Sequence, residues 1–546
     1  MLALLLCACD NHGGPENPQD TRADYTVIFW GMCGTNDGGV AVDMLSLANY
    51  YVSGAIGSNV EIAGLMKTSV NLSDESAAAF DATYYFESGD MTGKTIDVDA
   101  PETVSEAYEM AFSVLNGSKY ADTSYPLNNT DSLAAFIKRV DKEHPAKHYV
   151  LMLLGHGGGF SPAEEAPLTT KACLYDNYCN SAYLTADAVV SAVQKSGVEI
   201  QTIFTQCCLM ATLENIAAYS QVFDYGILAA EVTYSGYFPM YPVLLSAAGD
   251  DKDQFEANSK GLIDYYISAL DAYPDTYTSH GFYDLTKAPE LLSVVEDIAS
   301  WYNTNYSKLT DPIEEAMGNC IFCDNLNPGE DSIVRKERAV LQAILADEDV
   351  SSMFEGAGSG EDIFREIINM MIDLNYHAIS YGFPFTHVLS CTVDELEAVG
   401  NTTEKAALED LTTQFVQALT DMAYIRATAV PDGAGAEYPY IYTAPTINIF
   451  ALNEQYFRPL FGTRPQEALN ELMTAFRNDD EAQAISLMEE LFGGTPFAAE
   501  VSLETALNNY TSSVFDRQVK WSSFLKQLQM NPSVIYNPDR GQVNGK

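Results

Sequence analysis

A histidine and a cysteine each follow an apolar segment of this sequence. The first segment, 148–154, continues into Gly-His-Gly-Gly-Gly and so delivers His156. The second begins at Thr202 and leads to a pair of cysteines, of which Cys208 is the second. If both segments are neighbouring parallel strands, the two side chains meet at the carboxyl edge of the sheet, where open α/β folds place their sites. A thiol and an imidazole assembled in this way can act as a nucleophile and its base.

Strand-like and helix-like patterns alternate around these two segments. Repeated alternation of this kind favours a mostly parallel sheet with helices on both faces. The predicted strands are 25–30, 148–154, 202–205 and 225–231, and the predicted helices are 40–51, 101–115, 132–140, 186–195 and 209–219. The remainder is richer in helices, with candidates at 255–270, 289–302, 333–346, 363–372, 404–423 and 466–476 and a strand-like piece at 445–450.

The chemistry requires a thiolate, so the pKa of the cysteine must fall. The helix predicted over 209–219 would place Cys208 at a helix N-terminus, where the dipole favours an anion. His156 would stabilise the thiolate as an imidazolium and then protonate the leaving amine. Backbone N–H groups near Gly157 and at Cys208 would bind an oxyanion.

The same residues also have structural interpretations. A cysteine pair after an apolar strand is often core packing or part of a disulfide, and a histidine before glycines can cap a turn. A disulfide between Cys207 and Cys208 would silence the site. These alternatives stay open at the level of sequence.

Composition limits the classes of function. The 546 residues carry 28 basic and 76 acidic side chains, a formal charge of −48, and 47% of them are hydrophobic. The chain can therefore bury large cores, whereas its charge repels phosphate backbones and argues against nucleic-acid binding. We interpret most of the charge as a contribution to solubility.

The first residues predict export. Residues 1–9 resemble a secretion signal that ends in a bacterial lipobox, with Cys9 as the lipidated residue. Residues 10–24 are rich in Gly, Pro, Asn and Asp, as in a tether after an anchor. We expect an outer-membrane or cell-surface lipoprotein held to the membrane by its lipid anchor. An ordinary cleaved signal, giving a periplasmic or secreted protein, is the alternative.

Eight of the ten cysteines lie beyond this signal. Cys173 and Cys179 flank a short loop, and Cys320 and Cys323 form a CxxC. In an exported protein both pairs are candidates for disulfides. A redox role for the CxxC is an alternative, and no second pair of zinc ligands at suitable spacing is evident.

Two motifs resemble the clostripain family of cysteine peptidases. They are His156 with its three glycines, and Cys208-Leu-Met-Ala-Thr-Leu-Glu214. The family belongs to the clan of caspases, legumains and gingipains. The resemblance implies a caspase-like fold, with a mostly parallel sheet sandwiched between helices and a helix-rich C-terminal half. It assigns the nucleophile to Cys208, because the following Leu-Met sets the register, and the base to His156.

Weaker similarities to the family extend the resemblance over most of residues 25–527. They lie at 25–36, 229–237, 280–285, 448–450 and 521–525. The resemblance implies a catalytic core over 25–250 and a helix-rich region over 251–546 that partly completes it.

One position departs from the family pattern. Gln206 stands where the family usually has an aspartate, which is thought to let its S1 pocket accept Arg or Lys. Glu231 is a candidate for a replacement charge. Some members cut themselves between base and nucleophile, which would correspond here to Lys171. Calcium is implied only by kinship, because no EF-hand pattern is visible.

The sequence therefore predicts an exported cysteine endopeptidase that acts on a protein or peptide substrate through a Cys-His dyad and a thioester. The alternative is a non-catalytic caspase-like surface lipoprotein that binds protein or glycan. A structural or redox exported protein built around Cys320 and Cys323 is a third hypothesis.

Overall fold

The computed structural model describes somewhat more than half of the chain. The described residues are 22–32, 38–68, 82–89, 94–101, 103–122, 124–157, 159–160, 173–176, 182–231, 233–234, 236–270, 278–319, 382–428, 445–448 and 510–528. The predicted signal, residues 10–21 of the predicted tether, most of the self-processing region, the CxxC and the predicted helices 333–346, 363–372 and 466–476 lie outside these residues.

A sheet of nine strands forms the centre of the described structure. Its strands are β1 (Ala23–Met32), β2 (Val60–Thr68), β3 (Ala82–Glu87), β4 (Ser118–Ala121), β5 (Ala146–Leu154), β8 (Thr202–Gln206), β9 (Tyr225–Ala229), β10 (Ser279–Asp284) and β12 (Ala423–Ala427). Two small sheets pair β6 (Cys173–Asp176) with β7 (Ala182–Leu184) and β11 (Gly382–Pro384) with β13 (Thr446–Asn448).

Helices connect and cover these strands. Before β10 they are α1 (Gly38–Val52), α2 (Val104–Val114), α3 (Thr130–Glu143), α4 (Ala186–Ser196), α5 (Leu213–Tyr219), α6 (Tyr241–Ala248) and α7 (Lys252–Leu270). After β10 they are α8 (Ala288–Asn305), α9 (Thr310–Asn319), α10 (Phe385–Ala398), α11 (Thr402–Met422), α12 (Val514–Val519) and α13 (Trp521–Gln527).

The central part of the large sheet is parallel. The strand order is β12-β10-β9-β8-β5-β1-β2-β3-β4. The five strands from β9 to β2 run parallel to one another. At one end β10 pairs antiparallel with β9 and β12 antiparallel with β10, and at the other end β3 pairs antiparallel with β2 and β4 antiparallel with β3. The predicted fold class, a mostly parallel sheet between helices, is confirmed.

Side-chain alternation along β5 explains why both faces of the sheet are covered. Leu151 and Leu153 lie in one hydrophobic cluster, whereas Val150, Met152 and Leu154 lie in the other. A strand whose successive side chains are all apolar can be stable only if helices bury both of its faces. Among the described helices, α1, α2, α6 and α7 contribute to the second cluster, and α3, α4, α5 and the helices after β10 contribute to the first.

Local signals set several element ends where the sequence predicts them. Helix α4 begins after Thr185, whose side chain accepts a hydrogen bond from the Ala188 N–H, and Asp187 lies in its first turn. The left-handed Gly197 ends it.

The residues after β10 also extend the large sheet, because β12 pairs with β10 at its edge.

None of the helices in the described part of the chain is both long enough and apolar enough to cross a bilayer.

His144, just before β5, predicts a pH-dependent contribution to stability. Its Nδ1 lies 2.7 Å from Glu61 and its Nε2 3.1 Å from Glu87. The hydrogen bond to Glu61 is the main cause that raises the pKa of His144, against the opposing effect of burial. A pKa raised by folding stabilises the fold at low pH, and this stabilisation is lost as pH rises through the folded-state pKa.

We therefore expect His144→Gln to lower the free energy of unfolding more at pH 5.5 than at pH 8.5. The expected difference is on the order of 1 kcal/mol, because both carboxylates are partly exposed and water screens them. Urea unfolding of both proteins at both pH values measures it. An equal loss at the two pH values would contradict this assignment.

Candidate active site

The register of β5 and β8 brings the two motifs together. These neighbouring strands are parallel, and Leu154 lies opposite Gln206 at their carboxyl ends. The Gly155 N–H donates to the Gln206 carbonyl at 3.4 Å. His156 and Cys208 each follow this last registered pair by two residues, so both chains leave the sheet side by side.

Gly157 lies directly against the backbone of Cys208. A Cβ atom added at Gly157 would lie 2.2 Å from the Cys208 carbonyl oxygen and 2.7 Å from its nitrogen. No real Cβ contact is that short, so only glycine allows this approach. The glycine after the histidine therefore permits the close contact between the two strand exits.

The two adjacent cysteines have different surroundings. Cys207 is fully buried, belongs to the same cluster as Leu153, and donates through its Sγ to the Leu153 carbonyl at 3.7 Å. Cys208 is partly exposed, and its Sγ accepts a hydrogen bond from the Thr233 N–H at 3.3 Å. Neither cysteine forms a disulfide in the described structure. Cys207 is thus a core residue, whereas Cys208 is the thiol at the edge of the sheet.

The prediction that Cys208 sits at a helix N-terminus is wrong. Helix α5 begins only at Leu213, where the Thr212 side chain accepts a hydrogen bond from the Asn215 N–H. Leu209 has φ 64°, a left-handed conformation that costs a side chain on the order of 1–3 kcal/mol. Its N–H donates to the Glu231 carbonyl, which helps to hold that conformation. The segment 209–212 therefore runs beside the end of β9 and is not helical.

The loop of residues 230–237, of which 232 and 235 lie outside the description, forms the other side of this edge. We call it the 230–237 loop. Thr233 contacts both cysteines, because its N–H reaches the Cys208 Sγ and its Oγ1 donates to the Cys207 carbonyl at 3.3 Å. The Tyr234 carbonyl accepts from Gln206 Nε2 at 3.0 Å. An N–H donor directed at a sulfur favours the anionic form of that sulfur, whereas the predicted helix N-terminus does not lie at Cys208.

Gln206 and Glu231, the two candidate pocket residues, are both buried. Gln206 is 7% exposed, and its Oε1 has no hydrogen-bond partner among the residues that the structure describes. Glu231 is 3% exposed and follows β9. Gln206 is the last residue of β8, two positions before Cys208, and its side chain donates a hydrogen bond to the 230–237 loop. It is therefore placed to influence the space beside the thiol.

The end of the chain supports the helix that follows Cys208. Tyr510 OH donates to Glu214 Oε1 at 2.9 Å, and both residues are buried. The Tyr510 ring also packs edge-on against Phe160, which follows the His156 glycines. The C-terminal residues thus contact the segments that follow both His156 and Cys208.

The structure describes only some of the remaining predicted site residues. The His156 side chain is exposed at the carboxyl edge of the sheet. Lys171 and Cys9 lie outside the described residues. In the part of the chain that is described, no group of three or more His, Cys, Asp or Glu side chains is arranged to hold a metal ion.

A cavity of about 610 Å³ lies elsewhere, at the amino-terminal edge of the sheet. His148, Gln201 and Phe223 are among its lining residues, and it includes none of the candidate catalytic residues. Among the described residues, the carboxyl edge carries both a cysteine and a histidine, whereas the lining of this cavity contains no cysteine.

Sequence reasoning missed Thr233, Tyr266 and Asp43. Tyr266, on α7, accepts from the Tyr234 N–H at 2.7 Å and donates to the Tyr234 carbonyl at 2.9 Å. Asp43, on α1, accepts from the Gly236 N–H. The only sequence signal near them was the similarity of 229–237 to a family segment, because distant helices supply the contacts.

Comparison with known proteins agrees with the two motifs. Residues 104–339, which include His156 and Cys208, match the clostripain family, Peptidase_C11. This match confirms the family resemblance predicted from the sequence. No curated protein matches the chain significantly.

Two solved structures resemble the fold at low identity. The first is a secreted C11 cysteine protease from Bacteroides thetaiotaomicron, "iotapain", with a TM-score of 0.45, 13% identity and coverage of 78% of this chain and 94% of that one. The second is an inactive zymogen C11 protease from Parabacteroides distasonis, with a TM-score of 0.42, 16% identity and coverage of 79% and 93%.

Proposed function

We propose that this chain is an exported cysteine endopeptidase that hydrolyses peptide bonds with Cys208 as nucleophile and His156 as base. One observation carries the proposal: the parallel register of β5 and β8 makes both residues leave the sheet together. The family match over residues 104–339 supports the same chemistry. Burial of Cys207 leaves Cys208 as the accessible thiol of the pair.

Acylation would start from a Cys208 thiolate, stabilised by the Thr233 N–H and by a protonated His156. The sulfur attacks the carbonyl carbon of the scissile peptide bond, and the carbonyl oxygen becomes an oxyanion. Backbone N–H groups near Gly157 and at Cys208 are the proposed donors to this oxyanion. The C–N bond then breaks, the amine leaves with the proton of His156, and a thioester remains.

Deacylation would use water and the now neutral His156. The imidazole removes a proton from water as the oxygen attacks the thioester carbon. The C–S bond breaks, the carboxylic acid leaves, and the thiolate and the imidazolium are restored. Atoms and charges balance with water as the only co-reactant.

The test is hydrolysis of a mixture of unstructured peptides by the purified protein, followed by mass spectrometry of the products. The proposal predicts new peptide termini whose formation a thiol reagent stops in proportion to the modification of Cys208. Product termini that persist after complete modification of Cys208 would refute it. Binding of peptides without any cleavage would favour the alternative, a non-catalytic binding protein.

Because Gln206 replaces the usual aspartate of the family, we expect weak cleavage of peptides with Arg or Lys at P1. An amide in place of a carboxylate provides no charge to pair with a guanidinium, and desolvation of an unpaired cation is costly. We expect Gln206→Asp to raise kcat/KM for Arg and Lys at P1 by about 10- to 100-fold relative to other residues.

A peptide library varied at P1 measures this preference, with Glu231→Ala as the companion variant. If Glu231 supplies a replacement charge, any basic preference of the wild type should disappear in Glu231→Ala. Strong Arg selectivity that survives Glu231→Ala would contradict the assignment of P1 preference to these two residues.

Export and maturation complete the proposal. Lipidation at Cys9 would anchor the protein to a membrane, and recovery of the intact native protein in the aqueous phase after detergent partition would count against it. Self-cleavage near Lys171 would split the chain between base and nucleophile. An active preparation that remains a single chain on a denaturing gel would exclude that step.

A further inference from the structure

The 230–237 loop is fixed from outside by two side chains on different helices. Tyr266 of α7 binds both backbone polar groups of Tyr234. Asp43 of α1 accepts from the Gly236 N–H through both carboxylate oxygens, at 2.7 and 2.9 Å. Gly236 is only three positions along the chain from Thr233, whose N–H donates to the Cys208 Sγ. The two anchors therefore restrict the position of that donor.

Burial of the Asp43 carboxyl is energetically unfavourable, and its contacts in the fold do not offset this penalty. It is 2% exposed, and burial raises its pKa to about 7 although the Gly236 N–H acts in the opposite direction. The titratable groups that interact with it are the hydroxyls of Tyr50 on α1 and Tyr266 on α7, and no cation in the described part of the chain lowers its pKa.

The sign of this shift argues against a stabilising role. A carboxyl whose pKa is raised by folding favours the native state at low pH, and that contribution is lost as pH rises from about 4 to about 7. The ionised form thus lowers stability at neutral pH relative to a neutral isostere. A buried group that lowers stability is expected chiefly where function needs it.

We propose that Asp43 is a positioning residue that holds the 230–237 loop so that the Thr233 N–H stabilises the Cys208 thiolate. A carboxylate is suited to this task because hydrogen bonds to an ionised acceptor are stronger than those to a neutral one. Asp43 does not touch the substrate and acts through the loop. The inference deepens the proposed function, on which it rests for its catalytic meaning.

The test measures the pH dependence of Cys208 alkylation by iodoacetamide, with peptide mapping to isolate this cysteine. In Asp43→Ala the loop loses one anchor, the Thr233 donor moves, and the thiolate loses stabilisation. We expect the apparent pKa of Cys208 to rise by about one pH unit, because a hydrogen bond to the charged form lowers a pKa. On a cleaved peptide, kcat should fall about 10-fold with little change in KM.

Two further variants keep the test decisive if Asp43→Ala does not fold. Asp43→Asn keeps one acceptor oxygen and should give a smaller rise in the pKa of Cys208. Tyr266→Phe removes the other anchor of the loop, leaves the Asp43 carboxyl in place and should also raise that pKa. Asp264→Asn is the matched control, since Asp264 lies on the same helix as Tyr266 but binds Tyr424 and Arg426.

Unchanged Cys208 alkylation profiles in folded Asp43→Asn and Tyr266→Phe would overturn the inference. The profile does not depend on peptide cleavage. A wild type that cleaves nothing, but whose Cys208 pKa rises in the Asp43 and Tyr266 variants, would therefore refute the proposed function and leave the positioning role intact. A shift of equal size in Asp264→Asn would show a general effect of mutation and would also overturn it.

Discussion

Cys208→Ala is expected to abolish peptide hydrolysis, with a fall in kcat of at least about 10,000-fold, as for the loss of other hydrolase nucleophiles. The reason is that no thioester can form without the Cys208 sulfur. The measurement is kcat on the best peptide found for the wild type, together with the melting temperature of both proteins. The fold should persist, because Cys208 is partly exposed and belongs to neither hydrophobic cluster.

Cys207→Ala is the matched control for this prediction. Its thiol is buried in the core and points to the Leu153 carbonyl, so its loss should lower stability by about 1 kcal/mol and leave most of the activity. The pair of variants thus tests the register that assigns the nucleophile. Loss of activity in Cys207→Ala with activity retained in Cys208→Ala would reverse that assignment.

His156→Gln is expected to lower kcat by about 100- to 10,000-fold, the usual range for loss of a general acid and base. Glutamine keeps a polar side chain of similar size but cannot exchange a proton with the leaving amine. Because the side chain is exposed, the melting temperature should change little. Initial rates between pH 5 and pH 9 measure the effect.

His148→Gln is the corresponding control, since His148 lies near the opposite end of the same strand and binds Asp250 at 2.8 Å. It should retain wild-type kcat. Equal losses in the two histidine variants would indicate a general effect on β5 and would count against a role for His156 as base.

Much of the sheet could be predicted from sequence, because its strands are short apolar runs bounded by turns. The predicted strands 25–30, 148–154 and 202–205 each lie within an observed strand. The parallel pairing of β5 with β8 was predicted from the alternation of strand and helix. These features are local in sequence or follow from chain topology, so no tertiary contact had to be known.

The segment after Cys208 shows where this reasoning failed. Apolar residues at Leu209, Leu213 and Ile216 have helical spacing and suggested one continuous helix. The Ala211 N–H instead donates to the Ala229 carbonyl, and the Thr446 N–H donates to the Ala211 carbonyl. Tertiary hydrogen bonds thus outweigh the local periodicity. Thr212, a favoured N-cap residue with Glu214 in the following turn, was the sequence signal for the true start of α5.

The surroundings of the thiol could not be predicted for a different reason. Asp43, Tyr266 and Thr233 come from three separate elements, and no spacing rule connects them. Their convergence depends on how α1 and α7 pack on one face of the sheet. Sequence patterns thus predicted the two candidate reacting groups. The residues around the Thr233 N–H and the Cys208 sulfur could be recognised only once the packing of the helices was known.

Cross-linking by 1,3-dibromoacetone tests the central claim most directly, since this reagent joins a thiol to a nearby imidazole through a three-carbon bridge. The native wild type, treated with one equivalent and mapped by mass spectrometry, should give a product in which the peptides of Cys208 and His156 are joined. His156→Gln should give only the singly attached reagent. Efficient reaction at Cys208 of the wild type with no bridge to His156 would contradict the account.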